Sequence, residues 1–251
     1  MAYLGDYHVH SVYSHGKQTI AENAARAREL GLKQIAITDH GLRHVVFGLR
    51  RWKLEEMRKE IAALKDPGVE VLLGVEANLI GREGQVDLEE GDYEELDVIV
   101  CNFHKAVWAA SAGDFFKFFV PNLWADGLRL PRSDKRVREN TRALVQAVKK
   151  HKIDIISHIS YAMTVDCEEV AKVCADYGTM IELSGKKISY TDEEFQRMAD
   201  TGVTFIMDSD AHSVDRVCDF KLAEELVRRT GYPFERIANV DKLPKFRSKT
   251  T

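Results

Sequence analysis

Residues 166–184 read DCEEVAKVCADYGTMIELS: a charged amphipathic stretch, one glycine, then a short apolar run. The first part reads as a helix, Gly178 stands where that helix should stop, and TMIELS reads as a buried strand. The same unit recurs along the chain. Apolar runs at 7–10 (YHVH), 34–39 (QIAITD), 69–76 (VEVLLGVE), 97–103 (DVIVCNF), 154–158 (DIISH), 179–184 and 203–208 (VTFIMD) alternate with amphipathic stretches. The spacing predicts helices near 18–31, 51–65, 137–151, 166–177, 191–201 and 213–229, with Gly31 and Gly202 in the same stop position as Gly178. Seven near-continuous apolar strands between helices imply a parallel sheet covered on both faces. Alternation over the whole length leaves two architectures, a (β/α) barrel or a doubly wound sheet.

Composition narrows the function classes. A chain of 251 residues can bury a large core without disulfides or a structural metal. With 45% hydrophobic and 30% charged residues, it is neither disordered, collagen-like nor coiled coil. The formal charge of −4 argues against a dedicated nucleic-acid binder, which carries a basic excess. MAYLGDYHVH lacks the basic start and apolar stretch of a signal peptide, and no run approaches the roughly 18 apolar residues of a membrane span. Cys101, Cys167, Cys174 and Cys218 are scattered without a CxxC pair, so we expect free thiols and a cytoplasmic protein.

One stretch stands apart from the alternation. Residues 106–132, AVWAASAGDFFKFFVPNLWADGLRLPR, are too long for a barrel loop and unusually aromatic. Phe115-Phe116 and Phe118-Phe119 have the i, i+3 spacing of one helical face, and Pro121 should end that helix. We expect this insertion to form a lid or a subunit contact in a homo-oligomer, walling the site, rather than ordinary core.

The polar residues at the strand ends carry the chemistry. The first strand holds His8 and His10, with His15 just behind; the second ends in Asp39-His40 and the third in Glu76. The fourth runs into His104, the fifth into His158, and the seventh into Asp208, Asp210 and His212. Seven of the nine histidines thus follow a strand's carboxyl end; His44 and His151 do not, and neither is expected to take part. In a parallel barrel those ends share one face, where catalytic groups collect. His8 and His10, two apart on a strand, leave the same face and can chelate one ion, and Asp210 and His212 share the spacing. Imidazole and carboxylate without thiolate suit Zn, Mn or Fe. So many donors imply two or three ions, with Glu76 a natural bridge. Clustered ions lower the pKa of a bridging water and clamp both ends of a displacement.

In this order the motifs resemble those of the PHP (polymerase and histidinol phosphatase) family. They are HVHSVYSHG at 8–16, ITDHG at 37–41, GVEAN at 74–78, NFH at 102–104, SH at 157–158 and DSDAH at 208–212. Within the family the chain looks most like the YcdX-like trinuclear-metal phosphatases. The resemblance implies a single-domain, distorted (β/α)7 TIM-like barrel with three divalent transition metals, usually zinc. It implies that His8, His10, Glu76 and Asp210 hold one ion, and that Glu76 bridges to a second held by His104 and His158. His15, His40 and His212 would hold the third; many relatives have Asp where this chain has His15. Asp39 and Asp208 would orient ligands from behind, or else cap the following helices. Lys105 after His104, and the aromatic 106–132 stretch, depart from the relatives, so the resemblance does not reach the substrate-facing loops.

The expected activity is a hydrolase of phosphoric esters, a phosphomonoesterase on a small phosphorylated metabolite, with a hydroxide held between two ions attacking phosphorus. Lys17, Arg43, Lys105 and Lys186 are the candidate cations for the phosphate. A phosphodiesterase or nuclease, a histidinol-phosphate phosphatase, and a non-catalytic metal-binding accessory protein are the alternatives. The lack of a basic excess disfavours the nuclease, and a full ligand set disfavours the accessory protein.

Overall fold

The computed structural model describes residues 1–65 and 68–249. All seven expected strands form: β1 (Gly5–Val9), β2 (Gln34–Ile37), β3 (Glu70–Asn78), β4 (Val98–Asn102), β5 (Ile155–Ile156), β6 (Met180–Ser184) and β7 (Phe205–Asp208). They pair in parallel in the simple order β1 to β7, without the reversal of a doubly wound sheet. Sequential right-handed crossovers curl such a sheet into a barrel. The architecture is therefore the distorted (β/α)7 barrel, one domain.

Alternation along β3 shows how the strands serve both core and site. Leu72 belongs to the cluster inside the barrel, with Tyr7, Ala36, Val98 and Ile155. Leu73, Val75 and Ala77 point to the outer cluster beneath the helices. Glu76 and Asn78, which share the parity of Leu72, therefore emerge inside the barrel at its carboxyl-terminal mouth. Gly74 is required on that parity, because a Cβ there would meet the Val98 carbonyl at 2.6 Å.

Helices lie near their expected positions and their ends have local causes. Thr19 and Thr191 close capping boxes with Glu22 and Glu194, and Asp166 caps Cys167–Tyr177. Gly31, Gly178 and Gly202 all adopt positive φ where a helix stops. The last expected helix is shorter than 213–229. A 3-10 turn, Val214–Arg216, comes first, Cys218 turns through φ 62°, and the helix occupies Lys221–Thr230.

The 106–132 stretch departs from expectation. A short helix, Ala112–Asp114, runs through a π-turn, Phe115–Phe119, into Val120–Gly127. Pro121 does not end the helix; it sits in the first turn of Val120–Gly127, where a missing N–H is tolerated. The wide turn also takes residues three apart off a common face. Phe118 and Phe119 are buried against Phe103, whereas Phe115, Phe116, Trp108 and Trp124 are exposed. None of these six rings lines the cavity at the barrel mouth; Ala106, at the start of the segment, does, and the rings divide between core and exposed surface.

The barrel closes through side chains as well as backbone. His10 N–H donates to the Ala211 carbonyl at 2.9 Å, joining β1 to the residues after β7. Below this bridge, the fully buried Asn239 amide donates to Gly5 and Met207 carbonyls at 2.8 and 2.7 Å and accepts from Met207 N–H at 3.1 Å. Asp208 accepts from Tyr7 N–H at 2.7 Å, and Asp6 accepts from Ser209 N–H at 3.1 Å. Asn239→Ala would strand three buried backbone groups at about 1–3 kcal/mol each. Urea titration of the variant should show about 3 kcal/mol or more of lost stability. An unchanged midpoint would mean that the seam is held some other way.

Candidate metal centre

The barrel mouth gathers all nine expected side chains around Glu76. Its Oε1 faces Nε2 of His158, His104 and His8 at 2.9, 3.1 and 3.2 Å. Its Oε2 faces His40 Nδ1 at 2.9 Å and His10 Nε2 at 3.7 Å. Asp210 approaches His10 Nε2 at 3.3 Å, His212 Nδ1 at 3.3 Å and His8 Nε2 at 3.9 Å. His15 completes the group, its ring stacked 4.7 Å from His40 and edge-on to His212 at 4.1 Å. Three overlapping sets have donor atoms close enough to share an ion: His10, His15, His40 and His212; His8, His10 and Glu76; and His40, Glu76 and His104.

These residues fit metal ions better than they fit one another. His8 Nε2, both nitrogens of His10, His15 Nδ1, His40 Nδ1 and Glu76 Oε2 are buried without a well-directed hydrogen bond, even where, as between His40 Nδ1 and Glu76 Oε2, the atoms lie only 2.9 Å apart. Such atoms cost free energy unless a partner satisfies them. Burial of Glu76 would raise its pKa, but the imidazoles of His104 and His8 hold the carboxyl well below the usual range. Burial would lower His8, yet Glu76, Glu182 and Asp210 raise it well above an ordinary imidazole. His10 is driven well below, by burial and by His40 and His212, and the same causes take His15 down to about 3. His10 and His15, held toward the neutral form beside Glu76 and Asp210 held ionised, are neutral and anionic donors of the kind a metal ion takes.

The supporting side chains were largely absent from the expectations. Glu182, in the middle of β6, binds His8 Nδ1 at 2.6 Å and accepts from His158 N–H at 2.6 Å. A lone charge inside the apolar run TMIELS was the legible signal. Asn78 Oδ1 lies 2.8 Å from His104 Nδ1, and Asn102 holds His158 Nδ1 at 2.9 Å. These bonds engage one ring nitrogen and turn the other toward Glu76. Asp39 accepts from Ser11 N–H and Oγ at 2.8 and 2.5 Å and from Ser14 Oγ, fixing the turn that carries His15. Neither Asp39 nor Asp208 caps a helix. His158 and Asp210 both adopt positive φ, 24° and 50°, the kind of backbone strain that collects at functional sites.

His44, expected to take no part, sits beside the site but joins none of the three candidate ion sets among the described residues. It is buried, stacks 4.8 Å from His40, and lines the cavity, with Nδ1 accepting from Phe47 N–H at 3.1 Å. The loop after β2 folds back over the mouth, a return that sequence spacing does not encode. His151 is remote, bonded to Tyr93 and Gly84. Of the candidate phosphate cations, Lys105 and Lys186 line the cavity, whereas Lys17 and Arg43 do not.

Fold and site together define a (β/α)7 barrel with a histidine-rich candidate metal centre at its carboxyl-terminal mouth. The chain belongs to the PHP domain family, which matches residues 6–193. A protein of Shewanella sp. (strain MR-4) named "probable phosphatase" is 30% identical over 250 residues, covering 95% of this chain and 88% of that one. Another so named, from Thermoanaerobacter sp. (strain X514), is 28% identical over 246 residues, covering 94% and 90%. The crystal structure of histidinol phosphate phosphatase from Lactococcus lactis subsp. lactis Il1403, complexed with zinc, L-histidinol and phosphate, has the same fold. Its TM-score is 0.61, with 16% identity over 99% of this chain and 98% of that one.

Glu76→Gln keeps the shape and removes the charge, so metal content after reconstitution should fall by more than one ion per chain. Glu182→Gln should reach full content but with affinity about 10–100-fold weaker, because it loosens the support behind His8 and the His158 backbone and removes no ligand. Metal titration followed by elemental analysis separates the two; unchanged content in Glu76→Gln would contradict its central place.

Proposed function

We propose that this protein is a metal-dependent phosphomonoesterase acting on a small phosphorylated metabolite, with three divalent ions, zinc being favoured over Mn or Fe. The observation that carries the reading is the buried donor atoms, without well-directed hydrogen bonds, converging on Glu76. Zinc and phosphate in the Lactococcus structure, and the phosphatase names of the sequence relatives, support it. His8, His10, Glu76 and Asp210 would hold one ion. Glu76, His104 and His158 would hold a second, and His15, His40 and His212 a third. When bound, such ions supply a water activated as nucleophile near neutral pH and charge stabilisation of the departing oxygen.

The chain's own part is positioning and shielding. Glu182 and Asn78 fix the rings of His8 and His104, and Asp39 fixes the approach of His15. Lys186, 3.0 Å from Asp210, is the cation placed to meet a phosphoryl oxygen. Phe47, Val46, Ala106 and Tyr161 wall a cavity of about 400 Å³, suited to a metabolite rather than a polymer. All four cysteines are free thiols, which supports a cytoplasmic setting. No helix among the described residues is long and apolar enough to cross a membrane. Exposed Trp108, Phe116 and Trp124 support self-association through the 106–132 segment.

Metal-replete protein should hydrolyse p-nitrophenyl phosphate, act far more slowly on its bis ester, and leave single-stranded DNA intact. Faster diester cleavage would overturn the monoesterase reading. The rate should also fall on the acid side of about pH 6.5, because imidazoles must be neutral to bind and protons compete with metal. A rate and metal content flat from pH 8 to pH 5 would contradict a histidine-rich centre.

A further inference from the structure

The walls of the cavity are divided by charge. Its only carboxylates among the described residues are Glu76 and Asp210, both turned into the centre. Its cations are Lys105, Lys186 and Lys187, all on exposed residues toward solvent. Two of them already have carboxylate partners. Lys186 meets Asp210, and Lys105 pairs with Asp126, which is not part of the cavity wall.

Lys187 is different. No carboxylate of the described residues lies within ion-pair distance of it. Its ammonium instead lies 3.6 Å from the centre of the Tyr161 ring, a ring that the Lys105 ammonium also approaches at 5.9 Å. Tyr161 stands edge-on to His158, with centroids 5.6 Å apart at 89°. A cation is therefore held one aromatic ring beyond a candidate metal ligand. The placement is built into the backbone. His158, Ser160 and Ala162 all turn through positive φ, and Tyr161 N–H donates back to the His158 carbonyl at 3.1 Å. An ammonium over an aromatic face is partly desolvated and held in place, but it keeps its charge for a further anion.

Resting on the phosphomonoesterase reading, we infer that the alcohol portion of the substrate carries a second anionic group, a carboxylate or another phosphate, and that Lys187 is the residue that selects it. With the phosphoryl group in the centre, the alcohol extends along Phe47, Val46, Ala162 and Tyr161 and ends among the lysines. A neutral hydroxyl end can accept a hydrogen bond from these lysines but gains no ion pair. An alcohol bearing an ammonium meets cations with no free carboxylate to offset them, and like-charge contact of this kind is how sites reject a competitor.

The test uses metal-replete protein and three series of phosphomonoesters of matched chain length, from about two to six carbons: ω-carboxyalkyl, ω-hydroxyalkyl and ω-aminoalkyl phosphates. At the best length, kcat/KM should fall in the order carboxyl, hydroxyl, amino, with the difference in KM. Lys187→Gln should reduce the carboxyl-to-hydroxyl ratio about two- to fivefold, the scale of one exposed ion pair, and Lys187→Arg should restore it. The ratio is independent of how much variant is folded. Equal kcat/KM across the charge series at every length would overturn the inference, and so would an unaltered ratio in Lys187→Gln. Phosphate release from p-nitrophenyl phosphate, run alongside, reports on the parent reading. If that ester is not cleaved, the phosphatase reading fails, and the inference with it.

Discussion

A single buried carboxylate organises the barrel mouth. Glu76 is 1% exposed, and five imidazoles approach its two oxygens between 2.9 and 3.7 Å. Taking a carboxylate out of water is costly unless opposite charge or strong donors compensate. Imidazoles do so only in part, because burial pushes His10 and His104 toward the neutral form. Bound metal would resolve the conflict, because an ion accepts neutral imidazole nitrogens and anionic oxygens together. The strand that delivers Glu76 is shaped for the task, since Gly74 lets β3 approach β4 closely two residues earlier.

The second constraint is the seam. β1 and β7 bring the two halves of the site together, His8 and His10 on one side and Asp210 and His212 on the other. Regular strand pairing gives way there to Asp6, Asp208 and Asn239. Buried Asp208 lies near Asp6 and Glu182, and burial followed by these two carboxylates raises its pKa well above normal. The interior beneath the centre is thus polar and side-chain-bonded rather than a uniform apolar plug. This pattern trades easy packing for fixed ligand directions.

The sequence showed a good part of this. Strands such as VEVLLGVE and VTFIMD are apolar through their middles because both faces are buried there, and the metal candidates stand at or just past their ends, so order along the chain maps onto position around the mouth. What was hidden depends on distant pairings. Asn239 closes the seam from a segment with no strand pattern, and His44 reaches the centre only because its loop returns across the mouth. The π-turn at Phe115–Phe119 hides behind an ordinary helical spacing, and along it Phe118 and Phe119 are buried while Phe115 and Phe116 are exposed. Glu182 was visible as a lone charge in an apolar strand, but its partner His8 lies 174 positions away.

The most direct test of the account is anomalous X-ray scattering from crystals of metal-replete protein, measured on both sides of the zinc absorption edge. The account expects three peaks at the barrel mouth, each roughly 2.0–2.2 Å from its imidazole and carboxylate donors, with Glu76 shared between two of them. A single peak, or ions that leave Glu76 without a metal contact, would contradict it.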